Sequence, residues 1–176
     1  MNLPLRIGIA ALALAAITVG CTPSLNWREV PLNGMVALLP CKPDHAERVL
    51  PLGAMDVPLA MSGCEASGAL YAISHVRVQD PSHLQAVYQD WRQATLAAMQ
   101  ATTASTLGTK PATTPQRRTK MGLRPEQFDG TRPDGSPVQA HLLWLTTGND
   151  LYQIAVYGTK LPPETTELLF SELSLR

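Results

Sequence analysis

The sequence predicts an α+β domain in which an antiparallel sheet of about six or seven strands is packed by one long and one short helix. Short apolar runs alternate with turn signals such as Asn33-Gly34 and Asp134-Gly135, a pattern typical of strands joined by hairpins. One stretch, 84–99, instead has apolar residues at spacings of three and four, which predicts an amphipathic helix. Consecutive strands with few helices among them favour a layered α+β unit.

The first 20 residues, 1–20, are predicted to be a signal peptide that lies outside this domain. Arg6 precedes an apolar run, 7–19. A positive start followed by a short apolar run is typical of export signals, and this run is too short to span a bilayer core of ~30 Å comfortably. The chain is therefore expected to be exported to the periplasm.

The end of this segment, Thr18-Val19-Gly20-Cys21, resembles the lipidation box of bacterial lipoproteins, with Thr18 where Leu is usual. The resemblance implies that Cys21 carries a lipid and anchors the protein to a membrane. In that family the residue after the cysteine directs sorting. Thr22 is not the Asp associated with inner-membrane retention, which favours the outer membrane. An ordinary cleaved secretory signal and an uncleaved anchor are the alternatives.

Residues 21–26 are expected to form the lipid anchor and a short tether, and 27–176 to form a single domain. A tether of this length reaches less than ~20 Å when extended, so the domain should lie close to its membrane. Lys and Arg total 14, as do Asp and Glu, so no global field is available to recruit nucleic acid. No second apolar run approaches the ~20 residues of a membrane helix.

Five strands are predicted in the first half of the domain: 27–30, 35–39, 47–52, 55–61 and 69–78. Asn33-Gly34 predicts a tight hairpin between the first two strands. Pro58 favours an edge position or a bulge for the fourth strand, because proline cannot donate to a sheet ladder. The residues of the fifth strand alternate regularly between two faces, so this strand is expected to be central.

The main helix is predicted to begin at Asp80-Pro81, since Asp is a good N-cap and Pro fits the first helical position. Its apolar stripe is expected to pack on the sheet. The alternative is that Tyr88 and Trp91 form an exposed aromatic platform, although the same two residues complete the apolar face of the helix.

A surface connection with at most a short strand inside it is predicted for 102–119, where Thr, Ala, Ser, Gly and Pro replace any regular pattern. The local excess of positive charge consists of Lys110, Arg117, Arg118, Lys120 and Arg124. Such a run is usually a solvated loop. The functional alternative is contact with anionic lipid phosphate or lipopolysaccharide, which the short tether would bring within range.

The C-terminal part is predicted to be a meander of three strands, 126–132, 138–146 and 151–157. Asp134-Gly135 and Gly148-Asn149 supply the two turns. Pro162-Pro163 then favours the start of a short helix. Leu173 and Leu175 lie in a predicted last strand.

Two cysteines, Cys41 and Cys64, remain if Cys21 carries a lipid, and an oxidising periplasm is expected to join them as a disulfide. Each flanks a predicted strand end, so the bond is expected to staple adjacent strands. A reactive or metal-binding pair is the alternative, but the sequence lacks a CxxC spacing or a nearby His at ligand offset.

The order of these elements is similar to the PsbP-like α/β sandwich. The resemblance is carried by a hairpin ending in Leu39-Pro40, the long helix, the run 151–156 and the closing segment 163–175. The segments 27–30 and 39–43 also resemble parts of small proteobacterial lipoproteins. Membership would imply an accessory or assembly factor attached to a larger membrane complex, and no catalytic or ligand residue is carried over.

No catalytic residue, cofactor or metal site is predicted. The sequence lacks the glycine-rich nucleotide motifs, the HExxH zinc motif and the GxSxG and SxxK serine motifs. His75 and His141 lie on predicted strands and could meet as a metal or acid-base pair, although a hydrogen-bonded structural His is commoner. Asp129, Asp134 and Asp150 occur in turns near Gly, where Asp serves the backbone geometry.

Three functional hypotheses follow. The leading one is an exported, lipid-anchored, non-enzymatic accessory or assembly protein that binds a protein partner in the cell envelope. The second is a small-molecule or lipid-binding module with a pocket between helix and sheet. The third is an enzyme with an unrecognised site, which would require His75 and His141 to lie together in a cleft.

Overall fold

The computed structural model describes residues 25–101, 103–105 and 125–176, and these form two antiparallel sheets and two helices. The strands are β1 (Arg28–Leu32), β2 (Met35–Leu39), β3 (Asp44–Leu52), β4 (Met55–Ala66), β5 (Ala69–Arg77), β6 (Thr103–Ser105), β7 (Glu126–Thr131), β8 (Pro137–Thr147), β9 (Asp150–Gly158) and β10 (Ser174–Leu175), and the helices are α1 (Leu84–Ala98) and α2 (Pro163–Ser171). The predicted α+β class is confirmed. The signal peptide, Cys21 and the basic residues Arg117, Arg118, Lys120 and Arg124 lie outside the described residues.

The larger sheet has the strand order β3-β4-β5-β9-β8-β7-β6, with the three-residue β6 beside six longer strands. Every described pairing in it is antiparallel. β5 and β9 lie at its centre, as the alternation in 69–78 predicts. Most of their residues are buried on both faces, which requires a covering layer on each side of the sheet.

Helix α1 covers one face of the larger sheet. A 3₁₀ turn, Pro81–His83, precedes it, and the Asp80 side chain accepts a hydrogen bond from the Ser82 backbone N–H at 2.9 Å. Val87 and Trp91 of α1 are buried against the sheet. The predicted alternative of an exposed aromatic platform is therefore wrong for Trp91, which is only 5% exposed because it packs edge-on against Trp144.

The opposite face is covered by a second, smaller sheet of order β1-β2-β10, together with α2. The N-terminal hairpin thus belongs to a separate sheet, and the prediction of a single sheet is wrong. Strand β10 pairs antiparallel with β2, with Ser174 opposite Val36. Residues shared between the two sheets form the largest apolar cluster, and its fully buried members include Met35, Tyr71 and Ile154. Burial of this shared surface holds the second layer in place.

Pro58 ends one of the strand pairings. β4 pairs with β3 from Met55 to Gly63, but its pairing with β5 begins only at Leu59. The prediction that this strand is an edge is wrong, because β3 occupies the edge of the sheet. The physical reasoning holds locally, since Pro58 has no N–H and residues 55–58 pair on one side only.

The predicted disulfide is present and connects Cys41 to Cys64, with 5.9 Å between their Cα atoms. Cys41 follows β2 of the smaller sheet, whereas Cys64 lies in β4 of the larger one. The expectation of a bond between adjacent strands is therefore wrong. The hairpin folds over the face of the larger sheet, so the bond links two layers instead of two neighbours.

We expect the double substitution Cys41→Ser with Cys64→Ser to lower the free energy of unfolding by about 3 kcal/mol, because the bond closes a loop of 23-residue sequence separation in the unfolded chain. Urea unfolding followed by circular dichroism measures this change. Wild-type protein in excess reductant is the matched control and should show the same loss. Equal stability of the variant and the oxidised wild type would contradict the stapling role.

Candidate functional site

A cleft of about 430 Å³ opens at one end of the larger sheet, on the face that the smaller sheet covers. It lies where the pairing of β4 with β5 stops at Pro58. Its lining comes from the β1–β2 turn, β3, β4, β5 and β9, and consists of Asn33, Glu47, Pro58, Leu59, Ala60, His75, Arg77 and Asp150. Both sheets therefore contribute to a single site.

His75 is the most buried polar residue of the cleft, with 6% exposure. Its Nδ1 lies 2.8 Å from the Asn33 amide nitrogen, and its Nε2 lies 2.8 Å from Asp150 Oδ1. Because an amide nitrogen can only donate, Nδ1 acts as the acceptor and Nε2–H donates to the carboxylate. Both ring nitrogens of His75 therefore have partners within the protein.

Tyr152 ties this group to the smaller sheet. Its hydroxyl donates a hydrogen bond to the Asn33 backbone carbonyl, and its ring centroid lies 4.8 Å from that of His75. Burial raises the pKa of Tyr152, and the nearby Asp150 charge raises it further. The phenol therefore stays protonated at neutral pH and keeps donating to the β1–β2 turn.

The charged groups of the cleft differ in whether they have an ion-pair partner. Asp150 also lies 3.5 Å from the Arg77 guanidinium, whose side chain is 71% exposed. The Glu47 carboxylate has no hydrogen-bond or ion-pair partner among the described residues. Glu47 is opposite Ala60, and Ala60 is opposite His75, so Glu47 stands two strand spacings, about 10 Å, from the His75 side of the cleft.

This arrangement suits binding better than proton transfer. Both imidazole nitrogens of His75 are already engaged, so neither is available to a substrate without rearrangement. A second polar pair, His45 Nδ1 and Ser62 Oγ at 2.7 Å, lies further along the same face. Ser62 has no exposed surface, so an external substrate cannot reach its hydroxyl.

The structure does not bring His75 and His141 together, so the predicted metal or acid-base pair is wrong. His75 is opposite Tyr152 and His141 is opposite Val156, about 13 Å further along β9 and on its other side. His141 Nδ1 instead lies 3.2 Å from Thr166 Oγ1 on α2. No group of three or more His, Cys, Asp or Glu side chains in the described ranges could hold a metal ion.

The turn aspartates have different roles. Asp134 accepts hydrogen bonds from the Ser136 hydroxyl and backbone N–H, which lower the pKa of Asp134, as its predicted turn role requires. Asp129 accepts one from Gln139. Sequence reasoning missed the role of Asp150 in the cleft and that of Asn33. The signal for Asp150 was its position at the start of a strand whose partner strand carries His75.

Family models, curated proteins and solved structures give no match to this chain, and the cleft is therefore interpreted from its own residues. None of the helices in the described ranges is long and apolar enough to cross a membrane. The contact predicted for Arg117, Arg118, Lys120 and Arg124 with anionic lipid concerns residues outside those ranges.

We expect Asp150→Ala to lower the free energy of unfolding by about 2 kcal/mol, because it leaves the buried His75 Nε2–H without an acceptor. Arg77→Ala is the matched control, since it removes only an exposed ion pair and should change stability by less than about 1 kcal/mol. Urea unfolding at neutral pH compares the two. Equal losses would show that the hydrogen bond to His75 contributes nothing beyond the surface pair.

The buried His141 should make stability depend on pH. Burial lowers the pKa of His141 below its ordinary value of 6.5, against a smaller opposing effect of the Asp129 charge. The unfolded chain then binds this proton first, so the stabilisation is complete above pH 6.5 and is lost progressively as the pH falls below it. We expect wild type to lose more stability between pH 7 and pH 5 than His141→Gln. Parallel losses in urea unfolding at the two pH values would contradict this.

Proposed function

We propose that this protein is exported and anchored by a lipid on Cys21, and that it works as a non-enzymatic accessory or assembly protein of the cell envelope, at the outer membrane. The Cys41–Cys64 disulfide is the observation that carries the proposal. Structural disulfides form and persist in oxidising compartments such as the periplasm and are rare in the cytosol. A bond that joins two layers of the core fits a protein that folds after export.

The position of the cleft supports a role in contacting something away from the membrane. The described chain begins at residue 25, beside the end of β2, where the Asn26 N–H donates to the Pro40 carbonyl. The cleft lies at the other end of β1, next to Asn33 and roughly 20 Å away. A lipid on Cys21 would hold the first end at the bilayer and direct the cleft outward.

A PsbP-like α/β sandwich remains our proposal for the fold family. Its support is the arrangement of the layers, in which α1 covers one face of the larger sheet and the N-terminal hairpin covers the other with α2 and β10. Accessory factors are what that resemblance implies. The similarity of fold suggests only the general kind of role. The molecule that is bound has to be inferred from the residues of the cleft.

The non-enzymatic part of the proposal rests on the engaged imidazole of His75 and the buried hydroxyl of Ser62. General base catalysis by a histidine needs a free ring nitrogen within reach of the substrate proton, and nucleophilic catalysis needs an accessible nucleophile. His75 is hydrogen-bonded to Asp150, and Ser62 is hydrogen-bonded to His45. They therefore stabilise the walls of the cleft.

A small-molecule binding module is the second candidate, and the cleft is the observation that favours it. The predicted pocket between helix and sheet is filled by the side chains around Val87 and Trp91. In the cleft, by contrast, the unpartnered Glu47 and the exposed Arg77 flank a floor that contains Pro58 and Ala60. Groups of opposite charge across a small apolar floor fit a zwitterionic ligand, such as a short peptide with both termini free.

We expect Cys21→Ser to move the protein from the membrane to the soluble fraction and to lose a specific cross-linked envelope partner, because the substitution removes the lipid attachment. In-cell cross-linking, membrane fractionation and mass spectrometry of the N-terminal peptide measure this. Thr22→Ser, which leaves the cysteine in place, is the matched control. Soluble wild-type protein would refute the anchor.

Membrane-bound wild type that captures no protein would instead bring the binding-module candidate forward. Thermal-shift measurements with zwitterionic dipeptides, on wild type and Glu47→Gln, would then decide it. A ligand at 100 times its dissociation constant adds about 2.7 kcal/mol of stability, which a melting curve resolves easily.

A further inference from the structure

Strand β3 forms the open edge of the larger sheet. It pairs with β4 on one side and has no strand on its other side among the described residues. Of its nine residues only Leu52 is buried. Val49, at 64%, is the most exposed large hydrophobic residue of the described chain. Such an edge carries a row of backbone N–H and C=O groups that another strand can use.

The sequence of this edge is complementary to itself when the strand is reversed. Residues that face each other across an antiparallel pair lie on the same face of the sheet. With Ala46 opposite Ala46 of a second copy, His45 is opposite Glu47 and Asp44 is opposite Arg48. The two-fold symmetry of such a pair repeats each contact. Four pairs of complementary polar residues therefore flank one central pair of small side chains.

The neighbouring registers lack this complementarity. A shift that puts Glu47 on the two-fold axis places two carboxylates opposite each other, and a shift that puts His45 there places Lys42 opposite Arg48, two positive charges. Like charges directly opposite on neighbouring strands destabilise the pair. The charges of β3 therefore specify the register centred on Ala46.

The side chains involved are free to make these contacts. Asp44, Glu47 and Arg48 have no hydrogen-bond or ion-pair partner in the described part of the chain. His45 uses Nδ1 for Ser62, which leaves Nε2 to face Glu47 of the second copy. In the same register the exposed Val49 is opposite Pro43, an apolar contact that covers it. Pairing therefore breaks no interaction of the single chain.

We propose that β3 is a homodimer interface, through which two copies of this chain join their larger sheets into a continuous antiparallel sheet centred on Ala46. Pro51, which cannot donate to a ladder, stops the pairing from extending along the strand. A seven-residue edge buries less than the ~1,200 Å² of a standard interface, so the dimer forms reversibly and at high local concentration. The interface depends on β3 alone and not on the lipid anchor.

Site-specific disulfide formation tests the register. In purified full-length protein carrying Cys21→Ser, Ala46→Cys introduces the only free thiol. The two thiols face each other at the axis, where opposite Cα atoms lie about 4.5–5.5 Å apart, within disulfide range. Mild oxidation should give a covalent dimer on a non-reducing gel.

Val49→Cys in the same background is the matched control. Its two copies are six residues apart in this register, about 20 Å, and should stay monomeric. Equal cross-linking of both variants, or none by Ala46→Cys, overturns the proposal.

Charge reversal tests the pairing without any added thiol. Sedimentation velocity of the Cys21→Ser protein over a range of concentrations gives the dimer dissociation constant at low salt. Arg48→Asp sets two acidic residues opposite each other and should raise this constant at least tenfold. Asp44→Arg with Arg48→Asp restores opposite charges and should return it to within about threefold of the starting value.

Circular dichroism verifies that each variant is folded. A monomeric parent protein at the highest concentration, an unaffected Arg48→Asp variant, or a double variant that does not recover, each overturns the interface.

Discussion

The burial of both faces of the β5–β9 pair is the constraint on which the rest of the structure depends. Tyr71, Ile73, Ile154 and Val156 point to one side and Val76, Leu151 and Ala155 to the other, and all are nearly inaccessible. A single helix can cover only one of these faces. The other face must therefore be covered by elements outside the larger sheet. These are the β1–β2 hairpin, which precedes that sheet in the chain, and α2 and β10, which follow it.

The second layer is attached to the larger sheet by different interactions at its two ends. Near Cys41 a covalent bond joins it to β4, whereas at Asn33 the attachment consists of hydrogen bonds to His75 and Tyr152. Apolar packing lies between them. The polar attachment is the one that borders the cleft, so the same side chains that hold the hairpin down also form a wall of the site. This dual use explains why both nitrogens of the His75 imidazole are engaged in the structure.

Local patterns predicted the elements well, and long-range geometry did not follow from them. The Asn33-Gly34 turn, the alternation of 69–78 and the stripe on α1 depend on neighbours in sequence, and each prediction agrees with the structure. The separation of the hairpin into its own sheet depends on which apolar face it meets, and no local pattern contains that information. The disulfide partners followed from counting cysteines, but the layers they join did not. Asp150 and Asn33 were interpreted as turn residues because their second role arises only when β9 lies beside β5 and beneath the hairpin.

The disulfide also has a mechanical consequence. Tension applied at residue 25 could extend the chain only as far as Cys41, where the load crosses directly to Cys64 within β4. The segment between the two cysteines is a closed covalent ring, and it contains all of β3. A force pulling from outside a closed ring cannot lengthen it. The strand at the open edge, which has a neighbour on one side only and would otherwise be the first to peel from the sheet, is thus shielded from pulling on the N-terminal segment.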